Sequence, residues 1–62
     1  MAITKIEIIE ACDDAIDAYT LIVNDKVTNG DIDNPIDKTA LLSNITNIVR
    51  VTRVKQWAED NL

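Results

Sequence analysis

The stretch DKVTNGDIDNPI, residues 25 to 36, holds the only glycine and the only proline of the chain and separates two apolar segments of helical periodicity. That division sets the architecture: a helix, a short connection and a second helix, with no further element to cover either one.

The first segment opens on a start signal. Thr4 is placed as an N-cap with Glu7 three residues later, forming a capping box, and Ile3 and Ile8 are spaced for a hydrophobic staple. Ile9, Cys12, Ile16, Tyr19 and Val23 then recur at alternating steps of three and four, with Ile8, Ala11, Ala15, Ala18 and Ile22 beside them. Glu7, Glu10, Asp13, Asp14 and Asp17 fall mainly on the other side. The pattern predicts one amphipathic helix over residues 4 to 24 with an acidic exposed face.

The second segment starts as clearly. Asn34 suits an N-cap, Pro35 the first helical position, and Asp37 sets a negative charge against the helix dipole, so a helix is expected from 35 to 60. Leu41, Ile45 and Ile48 make an ordinary stripe, expected to pack on the first helix. The series then runs Ile48, Val51, Val54, Trp57 in steps of three, each about 60° short of a full turn. The stripe therefore winds around the helix, and one neighbour cannot cover all of it. The β-branched run NIVRVTRV offers an extended break as the competing arrangement; with no Gly or Pro inside, the continuous helix is expected.

The connection, residues 25 to 34, admits several readings. Set against a calcium-binding loop of the EF-hand type, it puts Asp25, Asn29, Gly30 and Asp33 at suitable positions. However, Val27 stands where a side-chain oxygen is needed, and Ile36 stands in place of the bidentate Glu. The acids are better explained as turn formers and caps. Asn29-Gly30 between β-compatible residues signals either a minimal β-hairpin on a type I′ turn or an irregular reversal. In outline, the helix, hairpin and helix order resembles the small head-completion proteins of tailed phages, without a motif that matches residue by residue.

Length and composition limit what this fold can be. A chain this short is one domain, residues 1 to 62, that buries only about 60% of its unfolded surface, and Cys12 alone cannot form an internal disulfide. With no histidine, zinc patterns are missing as well. The expected class is all-α: an antiparallel two-helix hairpin that completes its core by oligomerisation or by docking on a partner. No stretch approaches the roughly 20 apolar residues of a membrane span, and the first residues lack a signal-peptide pattern. A cytoplasmic location, or one within an assembled particle, is expected, without secretion.

Net charge is −5, which argues against phosphate-backbone binding. The first 34 residues carry eight acids against two lysines, and the rest carry four bases against three acids. No phosphate loop or general acid-base histidine is present, so no catalytic residue and no cofactor or metal is assigned. Cys12, among Ile9, Ala15 and Ile16, reads as a small core residue. The residues assigned to a partner interface are Arg50, Val51, Arg53, Val54, Trp57 and Ala58, since Trp and Arg are enriched at binding hot spots.

The expected function is a non-catalytic interaction or assembly protein, such as a phage structural or accessory component, with itself or a larger protein as partner. The alternative is an acidic inhibitor or nucleic-acid mimic whose face of Glu7, Glu10, Asp13, Asp14 and Asp17 blocks a basic groove on an enzyme. A DNA-binding role for Arg50, Arg53 and Lys55 is the weakest of the three readings.

Overall fold

The structure, a computed structural model, describes residues 2–62. Two helices, α1 (Lys5–Asn29) and α2 (Pro35–Asn61), pack against each other as an antiparallel hairpin, and no strand occurs among the described residues. The molecule is a rod of 45 × 17 × 14 Å with a radius of gyration of 14.2 Å, against about 10.6 Å for a compact chain of this length. A compact protein of 6.9 kDa exposes about 4,000 Å²; this chain exposes 4746 Å².

The capping box of α1 forms as expected. Thr4 Oγ1 accepts from the Glu7 backbone at 3.2 Å, while Glu7 Oε1 accepts from the Thr4 hydroxyl at 2.8 Å and from its backbone N–H at 3.2 Å. Those hydrogen bonds hold the Glu7 carboxyl below the ordinary carboxylate range. At the start of α2, Asn34 Oδ1 accepts from the Ile36 backbone at 2.9 Å. The β-branched run stays helical, and α2 is continuous. Thr46 and Thr52 donate their hydroxyls to the Leu42 and Ile48 carbonyls at 3.0 and 2.7 Å, which keeps these side chains within the helix.

The connection differs from the expectation. α1 does not stop near residue 24 but runs to Asn29, so Asp25 and Asn29 belong to a helix, with Asn29 Nδ2 donating to Asp25 at 3.2 Å. Val27 and Thr28 are helical as well, so the minimal β-hairpin has no first strand. Gly30 has φ −80° and ψ 165° rather than a left-handed turn conformation. Its N–H donates to the Lys26 carbonyl at 2.9 Å, and an added Cβ would collide with that oxygen. Glycine is needed here for close approach, not for positive φ.

The remaining acids tie the turn. Asp31 accepts from the Asp33 N–H at 2.9 Å. Asp37 accepts from the Asp31 N–H at 3.0 Å and from Lys26 Nζ at 3.1 Å. The Asp31 amide first, and Lys26 second, hold the Asp37 carboxyl below its usual value.

Two further links fix the antiparallel register. Lys55 Nζ meets Asp13 at 2.7 Å, and Lys5 Nζ donates to the Glu59 carbonyl at 3.0 Å. Asp13 raises the Lys55 pKa, chiefly through the hydrogen bond. Between the Lys5–Glu59 link at one end and the Lys26–Asp37 link at the other, Ile9, Cys12, Ile16, Tyr19 and Val23 of α1 face Leu41, Asn44, Ile48, Val51, Lys55 and Ala58 of α2. All of them are at least partly covered. Among the described residues only Cys12, 7% exposed, and Ala58, 0% exposed, are fully inside.

Helix α2 thus follows the same alternation of four and three as α1, through two polar positions. Asn44 Nδ2 is satisfied by the Ala40 carbonyl at 2.7 Å, and Lys55 lays its stem along the seam and sends its amine to Asp13. Ile45, expected in this contact, is 42% exposed, because it stands one residue past Asn44 and is rotated by about 100° from it.

Three outcomes follow from this packing. Ala58→Leu forces a larger side chain into a fully buried position of the seam and is expected to destabilise the hairpin by about 1–3 kcal/mol, measured by chemical denaturation. Asn34→Ala removes the α2 cap and costs about 1 kcal/mol in the same assay.

The third concerns pH. The depressed Glu7 and Asp37 contribute stability above the unfolded carboxylate pKa of about 4, and that stability is lost as pH falls through their folded values. The raised Lys55 contributes below about 10.5 and loses its share as pH rises through its folded value. The melting temperature is therefore level between about pH 5 and 9 and drops on either side. Asp37→Asn lowers the plateau and makes the acid limb shallower.

Candidate partner-binding groove

The apolar residues that the seam leaves uncovered are not scattered. On α1, Ile8, Ala11, Ala15, Ala18 and Ile22 form a second stripe beside the one that meets α2. Ile8 and Ala15 are half-buried, and Ala11, Ala18 and Ile22 are exposed. On α2, the residues in steps of three cross the seam obliquely. Ile45 lies on one flank, Ile48 and Val51 lie in the contact, and Val54 and Trp57, 49% and 55% exposed, emerge on the other flank.

The α1 stripe and Val54 come together there. Ile3, Ile8, Ala11 and Ala15 form one wall of an open groove of about 320 Å³, Val51 and Val54 form the other, and Cys12 lies at its base. Glu7 is also part of the lining, and Trp57, three residues beyond Val54, stands outside it, about 60° further round α2.

The structure separates the residues assigned to a partner interface. Val54 and Trp57 are exposed, as are Arg50 and Arg53; Arg50 stands one turn before Val54 on the same flank, and Arg53 lies further round the helix. Val51 is half-buried and serves both the seam and the groove. Ala58 is wholly buried within the hairpin, so its surface is not available to a second molecule.

Sequence reasoning missed the α1 wall. Its signal was the spacing of Ile8, Ala11, Ala15, Ala18 and Ile22, a seam-like pattern with no second neighbour inside the chain to bury it. Leu42, Ile45 and Val49 make a smaller exposed patch on the opposite flank of α2.

All five acids of the α1 face are exposed. Two have work inside the chain, since Glu7 closes the capping box and Asp13 holds Lys55. Glu10, Asp14 and Asp17 form no ion pair among the described residues. Of the basic residues near the end of α2, Lys55 is engaged by Asp13, which leaves Arg50 and Arg53. The closed end of the hairpin holds a second recess of about 280 Å³ that mixes Lys26, Asp31, Asp37 and Lys38 with Val27, Gly30, Ile32 and Leu41, and Lys26, Asp31 and Asp37 are occupied by the links that tie the connection. No helix of the described residues is long and apolar enough to cross a membrane.

Comparison with protein-family models, with curated proteins and with solved structures finds no match to this chain.

Trp57 serves as the reporter of this surface. On the isolated hairpin its emission is that of a water-exposed indole and is quenched readily by acrylamide. Any molecule that covers the groove flank shifts the emission to shorter wavelength and reduces the quenching constant.

Proposed function

We propose that this chain is a small, non-catalytic interaction or assembly protein whose hairpin completes its core by packing the groove flank against another helical surface. The observation that carries this reading is an apolar groove lined by Ile3, Ile8, Ala11, Ala15, Val51 and Val54, with exposed Trp57 beyond it, on a molecule where Cys12 and Ala58 alone are fully buried among the described residues. An exposed apolar surface flanked by charged residues, with a Trp and an Arg nearby, has the composition of a binding surface. The acidic-mimic reading has less support, because Glu7 and Asp13 are already committed within the chain. The phage reading loses the hairpin on which its outline resemblance rested.

The test is solution mass by light scattering, with helicity followed by circular dichroism on the same samples. The expected result is a mass above that of one chain that persists at about 1 M salt, where the screening length is about 3 Å. Val54→Ala with Trp57→Ala lowers the mass while a helical spectrum remains. Association that vanishes as salt rises, or that the double variant leaves unchanged, would overturn the assignment.

A further inference from the structure

We propose that the surface filling the groove is a second copy of this chain. The two copies pack face to face about a two-fold axis parallel to the helices, so that α1 of each lies beside α2 of the other. This inference rests on the assembly reading and names its partner and arrangement.

Area is the first argument. The hairpin exposes 4746 Å², about 750 Å² more than a compact protein of its mass. One side of a standard-size protein interface buries about 800 Å². The surface in excess is thus of the size that one copy would bury in a stable dimer.

Shape is the second. The α1 wall is bulky toward its start, at Ile3 and Ile8, and small at Ala11 and Ala15, and α2 offers Val51 and Val54 opposite. Small against small leaves a void, and bulky against bulky holds the helices apart. Laying α1 beside the other copy's α2 puts Val54 at the height of Ala11 and Trp57 at the height of Ile8, and two-fold symmetry repeats that junction.

Charge selects between the two symmetric ways of stacking the hairpins. An axis across the helices sets α1 against α1, with the Asp14 borders of both copies adjacent. An axis along the helices brings the Asp14 border of one copy to the Arg50 border of the other, at both junctions. Neither Asp14 nor Arg50 forms an ion pair within the described hairpin, so both are available. In the crossed arrangement every neighbouring pair of helices is antiparallel, which closes a four-helix bundle.

The experiment uses the full chain. The wild type is expected to have twice the mass of one chain, with Trp57 emission moving to shorter wavelength as the dimer forms. Ala11→Arg, at a position exposed on the hairpin, is expected to weaken dimerisation at least tenfold. Ile45→Lys, on the opposite flank, leaves it unchanged.

Asp14→Arg and Arg50→Asp are then made as separate chains. Each alone places like charges at both junctions and dimerises several-fold more weakly than wild type. Mixed together, they form a heterodimer in preference to either homodimer, because one junction regains opposite charges and the other keeps its native pair. A dimer that gains nothing on mixing overturns the crossed arrangement while the assembly reading stands. A folded monomer at every concentration overturns both.

Discussion

Two helices of uniform thickness touch along a single line, and that constraint governs the rest of this molecule. Each helix covers one stripe of the other, and among the described residues no third element covers what remains. Ala58, near the open end of the hairpin, is wholly buried, and its side chain ends at Cβ. The rod shape, the large exposed area and the groove beside the seam are all consequences of a fold with a seam where a larger protein would have an interior.

Because the seam is thin, lysines do much of the positioning. Lys5, Lys55 and Lys26 cross between the helices near the open end, along the seam and at the closed end, to the Glu59 carbonyl, Asp13 and Asp37. Exposed ion pairs contribute little to stability one by one, but pairs placed at different heights discriminate between registers. A shift of one helical turn would part all three, and Asn44, the polar residue of the central seam, would leave its place among apolar neighbours. At the closed end, Asp37 also accepts the Asp31 amide, so one carboxylate joins the end of α1, the turn and the start of α2.

The groove arises from the period of α2. Steps of three drift around a helix of 3.6 residues per turn, so the series from Ile45 to Trp57 enters the seam from one side and leaves it on the other. Only its middle, Ile48 and Val51, meets α1. Its end, Val54 and Trp57, arrives beside the second stripe of α1, where Ala11 and Ala15 stand. The proposed pairing of copies uses the small side chains of Ala11 and Ala15 opposite Val51 and Val54.

The helices, their caps and the acidic face of α1 could be read from the sequence, because they depend on neighbours a few residues apart: Thr4 with Glu7, Asn34 with Ile36, and the alternation from Ile9 to Val23. The uncovered stripe of α2 was legible for the same reason, since a drift in period is a local property. The sequence alone did not reveal where α1 ends, because Val27, Thr28 and Asn29 favour a turn or a strand locally and are held helical in a structure where Lys26 reaches across to Asp37. Nor did it reveal the use of Gly30, which depends on how close the chain passes to its own helix.

The seam itself was the property of the tertiary structure. Asn44, Lys55 and Ala58 look like a cap former, a surface charge and a small spacer until a second helix lies against them. Burial then depends on what stands opposite, through Asp13 for Lys55 and through the close approach of α1 for Ala58. Which residues are apolar is written in the chain, whereas which of them are covered is decided only when the two helices choose a common line of contact.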